Sequence, residues 1–591
     1  MVTRRSYFSI LILMAVITFL FLLPKIFEEY SIRYHNRKIE DSLVEEKVET
    51  TYANAFMLAE GSMAMSGKKL VYILDDNSDA DRSFVIEEWC TYRKFQYRKM
   101  NSLKECTGEV PDFIVVGRYD CSGDITNIIM TYLEAGSNVI FTEMPDYEAV
   151  ANDKAYMDLL GIVNCKQESI NVEELHIFND FFVSRERIYS NKDFYGDKNK
   201  FKMEIPYYEL RAGYQVFAQA KVKDVEYMDY PPVLWRTYTG KGLVFVVNTD
   251  LFEGKNLLGI LTAFSSQCDS FDVYPVVNAQ TVSVINFPVI NNENKELFEK
   301  TYDRDMYSFS RDILWPGVST ILQNYNKSYN FFMAPKLDYS NDDMTHNPDI
   351  EYYYSEIVAK LGSLGVSYDQ VSDQSLAHIK STLDEATQND MPYFRQRAVY
   401  VPDGSLGEED SVKDGNSNIV FTDLADERPI VEREDDGTIR VCFTSCGVKH
   451  NINEDLRLIS VETTLGIDMQ STNIMDVLFE NDDTYWEKVS TKWASETTYL
   501  NDFNQFDTLS VEESRVRFND FLLMDYEAKR VDDNSIQINI TTGNAPGYFI
   551  LRLWNEQVTG VSSGEYKKIN DTTYLISVAD KDTVVSTKRR K

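Results

Sequence analysis

From Lys68 onward, short apolar runs alternate with amphipathic ones, and that alternation constrains the fold more than any other feature of the chain. LVYILDD (70–76) has a strand pattern, SFVIEEWCTYR (83–93) that of an amphipathic helix, and DFIVVGRY (112–119) is a second strand. ITNIIMTYLEAG (125–136) is a helix closed by glycine, and NVIFTEMP (138–145) a third strand. Strands joined through helices run parallel and need cover on both faces, so a layered α/β fold is expected. GLVFVVNTD (242–250) and LLGILTAF (257–264) complete this unit after a β-rich excursion.

In outline the unit resembles the flavodoxin and glutamine-amidotransferase relatives. It contains neither a GxGxxG turn nor a Walker lysine loop, so a nucleotide cofactor is not expected. Cys121, in RYDCSGD, follows a strand and precedes a helix, but it lacks the G-x-C-x-G elbow and reads as a structural cysteine. The seven cysteines are scattered and form no CxxC, which argues against a disulfide framework or a zinc knuckle.

Location is read from the amino terminus. Tyr7 to Leu23 carries no charge, and no small-x-small cleavage site follows. This is the pattern of an uncleaved signal anchor in a bacterial cell membrane. Residues 25–67 are polar and lack proline, as suits a helical stalk. Arg4 and Arg5 precede the span while Lys25, Arg33, Arg37 and Lys38 follow it, so flanking charge leaves the orientation open. The net charge of −34 favours an extracytoplasmic body, repels nucleic acid and attracts cationic partners. Residues 401–440 hold twelve acids against four bases, a pattern of solvated loops or of a site for a cation.

A second α/β pattern begins near residue 271. VYPVVNAQTVSVINFPVINN (273–292), YDRDMYSFSRDILWPG (302–317) and YNFFMAPKLDYSNDD (329–343) follow in order. This succession resembles the polysaccharide deacetylases of carbohydrate esterase family four. The blocks YPVVNAQ, FSRDILWP and FFMAPKLDY, with the later WEKV and GYFILRLW, resemble a bacterial membrane-anchored family that accompanies Pel-type exopolysaccharide assembly. The likeness runs from about residue 68 to 555 and implies a (β/α) barrel.

In the esterases a pair of aspartates ends the first barrel strand, and an HxxxH pair completes a divalent metal site. Such a metal acidifies water and polarises the acetyl carbonyl. Beneath that motif this chain carries Ile285 and Asn286, with Pro288 retained. Its five histidines are His35, His176, His346, His378 and His450, so no HxxxH exists. GVSYDQVSDQ (365–374), where the histidine strand is expected, has only Asp369 and Asp373, and LGIDMQSTNIMDVL (465–478) has no histidine. The resemblance therefore implies degenerate catalytic positions and no bound metal.

Other candidates remain for ligand binding. Asp338, Asp342, Asp343 and His346 follow a strand, where an acid and a histidine could share proton transfer. The same stretch reads equally as a helix start, since Asn347-Pro348-Asp349 opens IEYYYSEIVAKLG (350–362). Arg311 beside Asp312 is an ion pair or a ligand clamp. Trp235, Trp315, Tyr339, Tyr352, Tyr353 and Tyr354 are sugar-stacking faces or core packing. TYWEKVSTKWASE (484–496) suits an amphipathic helix. From about 505, SIQINITTG, YFILRLWN and TYLISVAD suggest a β-sandwich, and TKRRK a solvated basic tail.

The expected domains are an anchor (1–24), a stalk (25–67), a flavodoxin-like α/β domain (68–270), a deacetylase-like α/β domain (271–504) and a β-sandwich with its tail (505–591). The expected function is non-catalytic binding or scaffolding in Pel-like exopolysaccharide assembly or export. Its partners would be a polysaccharide, which the resemblance implies is partly de-N-acetylated and hence cationic, and other assembly proteins. The alternative is a carbohydrate hydrolase or deacetylase working through carboxylates. Deleting residues 1–24 is expected to move the protein from carbonate-washed membranes to the soluble fraction, and retention in the pellet refutes the anchor.

Overall fold

The computed structural model describes residues 65–66, 68–75, 80–105, 109–117, 119, 121, 123–183, 186–190, 202–287, 295–323, 329–333, 352–353, 356–357, 363–368, 398–402, 419–446, 451–474, 486–501 and 505–590, all within the unit Gly61–Lys591. The apolar segment 7–23, the stalk up to residue 64, and Asp338, Asp342, Asp343 and His346 lie outside these residues, as do Tyr339, Tyr354, Asp369 and Asp373.

The first sheet is built from β2 (Leu70–Leu74), β3 (Gln96–Met100), β4 (Phe113–Val116), β5 (Asn138–Phe141), β6 (Ile162–Ile177), β7 (Arg187–Ser190), β8 (Glu204–Leu210), β9 (Gln215–Val222), β10 (Pro232–Thr239) and β11 (Gly242–Val247). A two-residue β1 (Met65–Ser66) precedes it. Parallel strands run β3-β2-β4-β5-β11, so the order reverses at β2 as in doubly wound folds. The excursion extends the same sheet with antiparallel β10, β9, β6 and β7, and β8 pairs with β6.

Both faces of the parallel half are covered. Val71 and Ile73 face one core, Tyr72 and Leu74 the other, which explains why LVYIL is apolar throughout and not alternating. Helix α1 (Ala80–Tyr92) lies on the first face, and α2 (Asp124–Ala135) packs Ile129 and Leu133 against the second. Gly136 closes α2 in the left-handed conformation, the role its sequence position predicts.

The segment SFVIEEWCTYR is not amphipathic in the expected sense. Val85, Ile86 and Trp89 are buried, but so are Glu88 and Arg93. Lys255 Nζ lies 2.6 Å from Glu88, whose other oxygen accepts from Tyr92 Oη (2.7 Å) and the Ile430 N–H (2.7 Å). Arg93 donates to both Asp272 oxygens at 2.9 and 3.0 Å, and Ser266 Oγ completes that carboxylate. Charges this deep survive only when paired and hydrogen-bonded, and these two pairs tie α1 to two later parts of the chain.

A second sheet follows β12 (Phe271–Pro275). Its strands are β13 (Ala279–Phe287), β14 (Tyr329–Met333), β15 (Ser363–Ser367), β16 (Val399–Val401), β17 (Ile419–Thr422), β18 (Val431–Arg433), β19 (Ile439–Cys442), β20 (Ser445–Cys446) and β21 (Ile467–Asn473). Parallel pairing runs β13 through β14, β15, β16 and β17 to β19, and β13 also pairs with β21. Residues 439–446 join the ends: β19 bonds to β17, Phe443 N–H to Thr422 O, Thr444 N–H to Met469 O, and β20 to β21. One continuous segment thus bonds first to β17 and then to β21, and the sheet curves as a half-barrel around an interior.

Alternation sorts its residues. Ile285, Phe332, Tyr400, Phe421, Phe443 and Met469 share the core that also faces α1, while Val282, Val284, Phe287 and Phe331 pack outward. The outward set meets Trp315 and Val318 of α4 (Trp315–Gln323) and, further on, Trp486 and Trp493 of α6 (Trp486–Asn501). Between the bodies, α3 (Asn256–Ser266) lies against α5 (Ile452–Leu465). Gly259 donates its N–H to Ser460 Oγ at 2.6 Å, and a Cβ there would stand 2.5 Å from Ser460 Cα, so only glycine permits this approach.

The third part departs from the expected β-only pattern. Residues 511–523 form helix α7 (Val511–Leu523), opened by a capping box in which Ser510 and Glu513 exchange hydrogen bonds. Strands β22 (Asp525–Asp532), β23 (Ser535–Thr542), β24 (Gly547–Leu553), β25 (Glu556–Val561), β26 (Gly564–Lys568), β27 (Thr573–Val578) and β28 (Asp582–Arg589) follow. They form two antiparallel sheets, β1-β22-β23-β28-β25 and β12-β24-β27-β26, which share one core. The basic end is solvated in its Lys588 and Arg589 side chains, but it is not a free tail, since their backbone pairs with Gln557 and Glu556.

Burial alone would push the Asp272 carboxyl up, but the Arg93 and Lys69 charges and the Ser266 hydroxyl hold it below its usual value. Its stabilisation is therefore present above the unfolded carboxyl pKa of about 3.9 and is lost as pH falls through the lower folded value. Asp272→Asn, which strands the Arg93 charge, is expected to cost about 3–5 kcal/mol at neutral pH in chemical denaturation. The difference from wild type should shrink below about pH 4, and a pH-independent difference would show that the pair is not the cause.

Candidate functional site

In a parallel barrel the carboxyl ends of the strands hold the ligand, because loops from successive strands converge there. At this end β13 is interrupted. Its register against β14 jumps between Ile285 and Phe287, and Asn286 occupies the bulge with φ +62°. The left-handed region is costly for a residue with a Cβ, though asparagine tolerates it better than most. The bulge turns Asn286 so that its amide bonds to two other strands: Nδ2 donates to Asn473 Oδ1 of β21 at 3.1 Å, and Ser367 Oγ of β15 donates to Asn286 Oδ1 at 2.6 Å. Asn286 and Ser367 are buried.

Beside this triad, Tyr400 of β16 donates its hydroxyl to both oxygens of Asp423 at 3.0 Å. Asp423 is the first residue after β17 and is half-buried. Beneath this layer the interior is aromatic, with Phe332, Phe421 and Phe443 at centroid distances of 5.3 to 6.1 Å, and two residues before Phe332 on β14 Asn330 Nδ2 reaches Ser283 Oγ at 3.5 Å. The mouth is thus a small polar layer on an apolar plug.

Ile285 is buried in the core, and Asn286 contributes an amide in place of a carboxylate. Neutral amides and a hydroxyl can donate to and accept from sugar hydroxyls or acetamido groups, but an amide cannot act as a base near neutral pH. Among the described residues no group of three or more histidine, cysteine, aspartate or glutamate side chains converges as a metal site. Asp423 supplies the carboxylate of the described mouth.

The remaining candidates among the described residues make their contacts elsewhere. Trp315 is buried against Phe287, Phe331 and Tyr353, with its indole N–H directed to Glu356 at 3.4 Å. A Trp→Ala change at such a site costs about 3–5 kcal/mol, so its effect would report on stability and not on sugar stacking. Trp235 is equally buried and donates to Leu160 O. Arg311 is exposed and pairs with its neighbour Asp312 at 2.9 Å, while Arg304 holds the other oxygen of Asp312 at 2.7 Å. It is a surface ion pair, of the kind worth little. Tyr353 is buried and Tyr352 is 41% exposed.

Sequence reading passed over Ser367, Asn473, Tyr400 and Asp423. Ser367 stands in the stretch searched for histidines, and Asp423 within the acidic run read as loops. The signal for Asp423 was available: it directly follows the apolar run IVFT, as a residue at a parallel strand's carboxyl end must.

The sequence profile of the family described as "Uncharacterised protein conserved in bacteria (DUF2194)" matches residues 31–366, more than half of the chain. The chain belongs to this family. The matched span includes the first sheet, β13 with its bulge, and nearly all of β15. No protein of curated function matches the chain. Among solved structures, an exo-beta-1,4-mannosidase from Opitutaceae bacterium strain TAV5 is 12% identical with a TM-score of 0.22, each chain being covered over 34%. A beta-galactosidase from Bacillus circulans sp. alkalophilus is 12% identical over 36% of this chain and 34% of its own, at a TM-score of 0.21. The cytoplasmic protein STM1381 from Salmonella typhimurium LT2 is 11% identical over 31% of this chain and 88% of its own, at 0.21. The chain spans about a third of the length of the two glycosidases, and likenesses this slight carry no argument about function.

Asn286→Ala is expected to destabilise the protein by about 2 kcal/mol, combining a left-handed Cβ with two lost hydrogen bonds. Asn286→Gly, which loses the same bonds without the backbone cost, should be about 1 kcal/mol milder in denaturant titrations. Equal losses in the two variants would show that the bulge carries no strain.

Proposed function

We propose that the protein is a membrane-anchored extracytoplasmic component of bacterial exopolysaccharide assembly or export, of the Pel-like kind. In it a deacetylase-like barrel binds or scaffolds polymer without hydrolysing it. The observation that carries this reading is Asn286. At the strand end where the deacetylase resemblance calls for paired acids, the chain sets an amide hydrogen-bonded to Ser367 and Asn473. Those groups suit recognition of neutral sugar functions and supply no base. The net charge of −34 supports attraction of a cationic polymer, screened beyond roughly 8–10 Å at physiological salt. The uncharged run 7–23 supports the anchor.

A second reading, a carbohydrate hydrolase or deacetylase working through carboxylates, is favoured by Asp423. A carboxylate at the carboxyl end of a barrel strand, fixed by Tyr400, stands where barrel enzymes keep their acids and bases.

The two readings part on one set of measurements with purified full-length protein. Binding of chitosan oligomers is expected to weaken as salt rises and to be unaffected by chelator. Incubation with acetylated chitin oligomers should yield neither acetate nor shortened product. Turnover that disappears in Asp423→Asn would overturn the binding reading and establish the enzyme.

A further inference from the structure

We propose that the groove beside α7 docks a segment of another protein that presents an apolar side chain next to a lysine or arginine. The proposal is independent of the barrel mouth. The groove has a volume of about 290 Å³ and an apolar floor that includes Val276, Leu509, Phe521, Met524 and Tyr548. That is at the lower limit for a small-molecule site, and suits one large side chain better than a polymer.

The helix supplies the specificity. Its inward face buries Val511, Ser514, Phe518 and Phe521. Along another face Glu512, Val516, Asp520 and Leu523 succeed one another at spacings of four, four and three residues, which places them in one row. Val516 is 46% and Leu523 47% exposed, so the row alternates carboxylates with apolar side chains in water. A partner helix carrying cations and aliphatic groups in the same alternation would satisfy both, which is the helix-in-groove mode of recognition.

The charges nearby are mostly committed. Glu513 belongs to the capping box, and Glu512 pairs with Arg515 at 3.1 Å. Arg517 bonds to Asp507 at 2.9 Å and stacks on Tyr548 at 4.2 Å, which fixes the floor. Asp520 differs. It accepts from Asn544 Nδ2 at a long 3.5 Å, and among the described residues no cation reaches it. The chain's own basic carboxyl end is not the occupant, because Lys588 and Arg589 are paired along β25. An external cation on Asp520, beside an apolar group in the groove, is the complement this surface lacks.

The test uses full-length protein and a labelled amphipathic leucine–lysine helical peptide, followed by fluorescence anisotropy. Asp520→Lys and Val516→Glu should each weaken binding about tenfold or more. Glu565→Lys, on the exposed strand β26 and with the same change in net charge as Asp520→Lys, should leave it within about twofold. Thermal melts check folding, and all three positions are solvent-accessible enough to tolerate the change. Equal weakening by Asp520→Lys and Glu565→Lys means only general attraction to an acidic protein and overturns the site. So does absence of peptide binding, or displacement of the peptide by a chitin oligomer.

Discussion

Everything in the described architecture turns on how α1 is held. Its Glu88 meets Lys255 from the start of α3 and the Ile430 N–H from the barrel, and Arg93 just beyond its end meets Asp272 of β12. Two charges brought together out of water gain little net stability over an apolar pair. What they impose is a unique mate: any other docking of these surfaces would leave an ion buried alone, at several kcal/mol. Apolar burial supplies the driving force, since the core under α1 runs on into the barrel interior, while the ion pairs select one arrangement among many apolar ones.

That continuity also shapes the mouth. The interior is plugged by Phe332, Phe421 and Phe443, so the polar layer at the carboxyl end lies above the rings, separated from the buried Asn330–Ser283 pair beneath them. The bulge at Asn286 is the device that builds it. A regular β13 would continue the inward and outward alternation, and the inserted residue instead turns an amide toward two other strands. Backbone strain at this point persists because Ser367 and Asn473 hold the side chain from opposite sides. An aspartate in that place would face the Asn473 carbonyl oxygen and raise the cost of its own charge, so the surrounding groups are matched to an amide.

Local pattern made the parallel strands legible because their alternating residues face two cores, and such strands must be apolar at nearly every position. The completion of the first sheet by GLVFVV was readable for the same reason, since all six residues are buried. Features that depend on partners were not. SFVIEEWCTYR reads as half-solvated, because nothing in it announces that Lys255 and Asp272 will come to meet its charges. Sugar stacking stays open for Trp315 beside core packing in the sequence because Phe287 and Tyr353 lie 28 and 38 residues away. Helix α7 was missed for a different cause. Ser510 and Glu513 spell a capping box, but the alternating strands that follow dominated the reading of that region.

The acidity of the chain, finally, is not spread evenly between the mouth and the α7 groove. The polar layer of the mouth is chiefly amide and hydroxyl, with Asp423 tied at both oxygens by Tyr400, whereas the row along α7 sets its carboxylates between exposed aliphatic side chains. A field from −34 charges draws a cation toward the whole molecule, yet it cannot orient one, because distant charges are screened within about a nanometre. Orientation has to come from short-range contacts. The mouth offers hydrogen bonds above its buried rings, and the groove offers an apolar floor with a carboxylate at its edge. These are different chemistries on a single folded unit: the mouth is suited to the sugar-like group proposed for it, and the groove to the peptide-like one.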